Sequence, residues 1–223
     1  MSAPPEFTGI PVDAVDFYDE LVHHNERAWW EQHKDRYAVS VREPVNALAD
    51  ALADEFGEIK VFRPQRDLRF SKDKTPYKDR QGALAQVSDG MGYYVAVGPE
   101  GLTTGGGSMH LTPDQLARFR AAVDAPASGI ALEKLLDALR RKGLGIGGEM
   151  LKSRPRGVDP EHPRVELLRH KSLIVWHDHG VPDWMSTTAV VAKVRAEWRL
   201  VRPTIGWLEE HVGASTAPRT GRG

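Results

Sequence analysis

The sequence predicts an α+β fold, an antiparallel or mixed β-sheet flanked by N-terminal and C-terminal helices. Three observations predict it. Apolar residues in the first 55 positions recur at mixed three-to-four spacing, the period of one helix face. From Ile59 to Leu111 the period drops to two, in short runs separated by Gly-, Pro- and Asp-bearing turns, the pattern of strands joined by tight turns. Helical signals then return at Thr112 and dominate the rest of the chain.

Taken in order, Val12, Val15, Phe17 and Leu21 form the apolar face of a first helix that closes near His23-His24-Asn25. A second helix starts at about Arg27 and runs into the forties, with Trp29, Trp30, His33 and Tyr37 near its start. Pro44 can restart a helix with the face Val45, Leu48, Leu52 and Phe56, which Gly57 ends. The extended segment that follows places Phe62, Arg66, Leu68 and Phe70 on one side and Arg63, Asp67 and Arg69 on the other. Arg66 therefore shares the apolar side and needs a partner if buried. A turn over Lys72–Tyr77 leads to a return strand, Gly82 to Val87. Tyr93–Val97 and Leu102–Leu111 make a further pair across Gly98-Pro99-Glu100-Gly101. Thr112-Pro-Asp-Gln115 reads as a capping box opening a helix to about Val123. Another helix covers Ile130 to Lys142. Leu173–Trp176, apolar on both faces, reads as a buried central strand. Two helices, about Ser186–Arg199 and Pro203–Val212, end the fold. The expected organisation is a single domain over 1–212 and a disordered, small-residue tail over 213–223.

Composition narrows the function classes. A 223-residue chain with 40% hydrophobic and 27% charged residues is long enough to bury a substantial core. No run approaches the ~18 apolar residues of a membrane span. The first fifteen residues lack the charged and apolar regions of a secretory signal. With no cysteine, disulfides, zinc ribbons and thiol catalysis are excluded. The expectation is a soluble cytoplasmic protein without a cofactor. The net charge of −1 hides an asymmetry: residues 1–60 carry 13 acidic and 5 basic residues, 61–80 carry 7 basic and 3 acidic, and 152–171 carry 6 basic and 3 acidic. A chain that coats nucleic acid is usually basic throughout. Local basic patches instead favour a discrete anion site, or internal salt bridges to the acidic N-terminal helices.

The segment Arg66–Lys78 holds five basic and two acidic residues in thirteen positions, tied to Leu68, Phe70 and Tyr77. Arg offers a planar fork for phosphate or carboxylate, and Lys a mobile point charge. Arg66, Arg69, Lys72, Lys74 and Lys78 are the candidate ligand-binding cations, with Tyr77 walling the pocket and Asp67 and Asp73 orienting the cations. Arg156, in the extended Lys152-Ser-Arg-Pro-Arg-Gly157 segment, is expected to join them. The opposing reading is a brace in which Asp67 and Asp73 neutralise the neighbouring cations.

Other motifs carry weaker signals. Gly105-Gly-Gly-Ser-Met-His110 suits either close approach of a ligand or a bulge and close sheet packing. Gly143-Leu-Gly-Ile-Gly-Gly148 formally matches G-x-G-x-x-G but follows a charged helix rather than a strand, which excludes a dinucleotide site; a helix cap and flexible loop are expected. His177 and His179 share one face at a strand end, and nothing in the sequence supplies a third ligand from His110, His162 or His170, so no metal is expected.

The string RDLRFSKDKTPYKD resembles the signature of a widespread uncharacterised family, domain of unknown function family 2461. FYDELVHHNERAWWEQHKDRY, YYVAVGPEGLTTGGGSMH and LKSRPRGVDPEHPRVELLRHKSL carry the resemblance further, over roughly residues 7–211. It implies no activity, so the residues themselves define three classes. The leading one is a binder of a phosphate- or carboxylate-bearing ligand. The second is an enzyme acting on a phosphorylated or acidic substrate, with Asp67 or Asp73 as a base and His110 or His170 as an acid–base group or oxyanion donor. The third is a structural or interaction protein with an internally paired charged hairpin.

Overall fold

A computed structural model describes residues 7–67, 69 and 73–216. It is an α+β protein whose six strands form one antiparallel sheet in the order β1-β2-β3-β4-β6-β5. The strands are β1 (Ile59–Val61), β2 (Gln81–Ser88), β3 (Met91–Gly98), β4 (Gly101–Ser108), β5 (Gly145–Gly147) and β6 (Leu173–Gly180). The helices are α1 (Asp13–His23), α2 (Arg27–Tyr37), α3 (Glu43–Phe56), α4 (Pro113–Asp124), α5 (Pro126–Arg140), the short α6 (Val165–Leu168) and α7 (Ala189–His211). Among the described residues no helix is long and apolar enough to cross a membrane.

Contacts divide the chain into two compact units. One comprises Met1–Ala85, Tyr94–Thr104 and Asp178–Glu197; the other comprises Gln86–Tyr93, Gly105–His177 and Trp198–Gly223. Their boundaries fall inside strands and inside α7, not at linkers, which is why no change of composition marks them.

In the first unit, α1 buries Ala14, Val15, Phe17, Tyr18 and Leu21, while Val12 stays exposed. Phe17 is the hub of an aromatic cluster, with ring centroids 5.4 Å from Tyr18 and Trp29, 5.9 Å from Trp30 and 5.7 Å from Tyr37. Between α2 and α3 the chain makes a π-helical turn over Ala38–Arg42. Pro44 has no N–H to give the carbonyl of Ser40, and its ring crowds that carbonyl. A locally widened turn accommodates both effects. Gly57, at φ +76°, ends α3.

Among the described residues, the extended segment expected after Ile59 is not one continuous strand, and Leu68 and Phe70 lie outside the described residues. β1 stops at Val61 after pairing with β2 in the register Ile59↔Ala85 and Val61↔Ala83. Pro64 follows, and the isolated bridge Gln65↔Tyr77 pairs the chain again. The signature segment is thus an excursion between two paired strands.

In the second unit, Gln115 closes the capping box on the Thr112 N–H at 3.0 Å. It also donates to the carbonyls of Asp89 and Gly213. Trp207 Nε1 donates to the Ser128 carbonyl at 3.0 Å, and Phe119 packs edge-on against the same indole. The Gly-rich run after α5 is not a flexible loop: Gly145–Gly147 is an edge strand paired with β6. A side chain at Gly145 would meet the Trp176 indole at 2.5 Å, so glycine here lets the ring lie on the strand. Gly107 likewise has φ +136° and no room for a Cβ, which would stand 2.1 Å from the Leu173 carbonyl oxygen. The triple glycine of β4 therefore serves close strand packing.

Two other expectations change. α7 is one helix with Pro203 inside it, not two; a proline costs one backbone bond locally, and the flanking Val201, Thr204 and Ile205 are buried. The start of the expected disordered tail is held in place. Arg118 donates to the carbonyls of Val212 and Ala214, and the Thr216 N–H reaches the Asp114 carboxylate at 2.8 Å. Residues 217–223 lie outside the described chain.

Phe17→Ala removes a fully buried ring whose neighbours are themselves too large to collapse into the gap. The expected loss is about 3–5 kcal/mol, read as a lower urea midpoint with an unchanged m-value.

Candidate functional site

The site is built on the hairpin between β1 and β2. Arg66 N–H donates to the Pro76 carbonyl and Lys78 N–H to the Pro64 carbonyl, both at 2.9 Å. Tyr77, 7% exposed, stacks on Trp30 with centroids 4.1 Å apart and planes 11° from parallel. Asn25, in the α1–α2 connection, grips the backbone of the same residue. Its Oδ1 accepts the Tyr77 N–H at 3.1 Å and its Nδ2 donates to the Tyr77 carbonyl at 3.0 Å. The hairpin base is therefore fixed to the helices by two hydrogen bonds and a stacked pair. Tyr77 is a buried anchor in this arrangement.

The cations named from the sequence differ in their surroundings. Arg66, 27% exposed at its side chain, places Nη1 2.9 Å from Asp73 and Nη2 3.3 Å from the Tyr77 carbonyl. Its Nε is buried without a partner. Arg69, 72% exposed, forks onto Asp67 through Nε at 3.1 Å and Nη2 at 2.9 Å. That fork, joined by the Arg69 backbone N–H at 3.1 Å, holds the Asp67 carboxyl down at about 2. Asp73 accepts the N–H and hydroxyl of Thr75 at 3.0 and 2.8 Å, which lowers its pKa and shapes the turn. Lys78 Nζ donates to the Arg63 carbonyl at 2.7 Å and lies over the Phe62 ring at 5.3 Å. Partial burial, then the charges of Arg63 and Arg66, push its pKa down. Lys74 is exposed. Lys72 lies outside the described residues.

Arg156 belongs to the second unit. It is exposed and lines a cleft of about 400 Å³ with Gly157, Arg120, Asp124 and His162. His110 is exposed at the end of the Gly-rich stretch, and His170 is buried.

Beside the hairpin base, α2, the π-helical turn and the start of α3 face the residues after β1 across a cleft of about 570 Å³. Its lining includes Trp30, Tyr37, Arg42, Asn46, Arg63 and Gln65. Lys34 and Asp35 also line it, so three cations stand against one carboxylate. Lys34 is paired with Glu31 at 3.2 Å. Arg42 and Arg63 are exposed, and neither guanidinium makes a hydrogen bond or ion pair with any described residue. Tyr37 donates its hydroxyl to Gln81 Oε1 at 2.6 Å, and Gln81 donates to the Phe62 carbonyl at 2.7 Å. Burial pushes the Tyr37 hydroxyl up to about 12, so it stays a neutral donor. This relay ties α2 to the chain that carries Arg63.

Sequence reasoning passed over Arg42 and Arg63. Arg42 carries a faint signal: no acidic residue stands three or four positions away on either side, so its helix offers no partner. Arg63 precedes the signature and is marked only by its strand parity. The π-helical turn that presents Arg42 has no sequence signal beyond Pro44.

A family model described as a conserved hypothetical protein (DUF2461) matches residues 13–207, most of the chain. A search of curated proteins finds no match.

Two outcomes test this geometry. Asn25→Ala leaves two backbone groups of a largely buried segment without partners, and the expected loss is about 1–3 kcal/mol in denaturant unfolding. Asp67 should titrate near 2 by NMR and return toward the ordinary carboxylate value of about 4 in Arg69→Ala. An unchanged titration in that variant would show that the fork is not what holds the proton off.

Proposed function

We propose that the chain, which belongs to the DUF2461 family of conserved hypothetical proteins, binds a small phosphate- or carboxylate-bearing anion. The ligand sits in the cleft of the first unit, between the guanidinium groups of Arg42 and Arg63. One observation carries the reading: two exposed guanidinium groups line the same cleft and have no partner among the described residues. A guanidinium fork matches the geometry of both anion types.

The hairpin cations support the site at one remove. Arg66 and Arg63 both disfavour the charged form of Lys78, so positive potential accumulates beside the cleft. An arriving anion relieves it. The near-neutral chain argues for a small ligand over nucleic acid.

A second reading applies to different residues. The Arg66–Asp73 and Arg69–Asp67 pairs favour a hairpin that braces itself, and this reading coexists with the first. The acid–base roles expected for Asp67 and Asp73 gain no support, because a carboxylate held so firmly in its ionised form is a weak base.

Calorimetry and thermal shift with pyrophosphate and citrate, at two salt concentrations, test the proposal. At 100 times its dissociation constant, a bound anion adds about 2.7 kcal/mol of stability. The double variant Arg42→Ala/Arg63→Ala should fold normally and lose the response, whereas Arg69→Ala should keep it. Absence of any response in the natural chain, or its survival in the double variant, overturns the reading.

A further inference from the structure

The second unit contains a cavity of about 330 Å³ bounded by α5, the edge strand β5 and the residues around α6. His170 lines it and is 5% exposed. Its Nδ1 lies 2.9 Å from the carbonyl oxygen of Ser172. A carbonyl can only accept, so Nδ1 carries the proton and Nε2 of the neutral ring carries a lone pair. That lone pair meets no described hydrogen-bonding group. Nor is Nε2 among the side-chain atoms that are both sealed from solvent and unpartnered, which are Arg66 Nε, Arg195 Nε and Thr204 Oγ1. Nε2 therefore keeps access to solvent, and His170 is one of the residues that line the cavity.

His162, nearby in the chain, shows the contrast. Its Nδ1 accepts the Arg164 N–H at 3.1 Å and its Nε2 lies 3.1 Å from Asp124. Both of its nitrogens are used by the fold. His170 uses one, and its second nitrogen is left for water or a ligand to satisfy.

The rest of the wall specifies the ligand. Leu136, Ile146, Met150 and Leu167 supply apolar surface. Arg164, 7% exposed, is consumed by the carbonyls of Val123 and Asp124 at 2.6 and 2.9 Å. Arg140 is paired with Asp137 at 2.8 Å. Glu133 stands 3.7 Å from Arg164 and is partly exposed. The cavity thus offers His170 Nε2 as an open acceptor; its cations are engaged, and the carboxylates of Glu133 and Glu166 on its wall are paired with Arg164 and Arg169.

We propose that this cavity is a binding site for a small molecule that donates an alcohol O–H or an amine N–H to His170 Nε2. The proposal does not rest on the anion-binding reading. Burial holds the imidazole below its ordinary value of 6.5, which keeps the acceptor form present at neutral pH.

The test follows the side-chain nitrogen resonances of His170 by NMR in the full chain. At pH 7 the spectrum should show the Nδ1–H tautomer; an Nε2–H tautomer or a doubly protonated ring overturns the proposal without any variant. Titration with n-butanol and n-butylamine hydrochloride should shift the Nε2 resonance to saturation, while n-butyrate, of equal chain length but without a donor, should not. A response to the alcohol alone assigns a neutral hydroxyl ligand. A response to the ammonium alone assigns a cationic ligand that also engages Glu133. No response to either, or an equal response to all three, overturns the site. Met150→Trp fills the cavity and should abolish the shifts while the tautomer persists; Ile146→Trp replaces it if that variant does not fold. Shifts that survive the filling place the ligand elsewhere and overturn the proposal.

Discussion

The seating of Tyr77 is the interaction on which the candidate cleft depends. The described residues of the hairpin are mostly charged or polar. Its base is held by the Trp30 stack and by the Asn25 amide, which satisfies both backbone groups of Tyr77. An aromatic stack contributes about 0.5–1.5 kcal/mol beyond its buried area. Leaving the two backbone groups unpaired would cost a similar amount or more. With Tyr77 held, Gln65 and Arg66 pair back across the hairpin, and Arg63 is carried to the edge of the cleft.

From that anchoring follows a division among cations that composition treats as equivalent. Arg66 and Arg69 are within reach of Asp73 and Asp67, and their short loops close those pairs at 2.9 Å. Such pairs at the surface contribute about 0–1 kcal/mol, so they chiefly shape the turn. Arg42 and Arg63 both line a cleft in which Asp35 is the only carboxylate among the described lining residues. Their charges stay available because no described residue pairs with either guanidinium. Availability, more than density of charge, distinguishes a binding cation from a bracing one.

Much of the architecture was legible from local pattern. The apolar face of α1, Pro44 at the start of α3, Gly57 at its end, the β2–β3–β4 meander and the Thr112 capping box all rest on interactions within a few residues. The departures share a cause. Pro203 inside α7 and the Gly145–Gly147 edge strand violate local preference and are held by neighbours distant in sequence: buried packing in one case, the Trp176 ring and β6 in the other. Gly213–Thr216 looks like a free tail by composition and is ordered by Gln115, Arg118 and Asp114.

By itself, the sequence determined the α+β class, the order of most elements, the family resemblance and the place of the basic signature. Those properties follow from periodicity, turn chemistry and composition, which act over short stretches of chain. Only the tertiary structure decided which cations were spent on Asp67 and Asp73, which remained open at Arg42 and Arg63, and that His170 keeps one nitrogen unused. Pairing and desolvation are properties of atoms brought together by folding, and neither has a period that can be read along a chain.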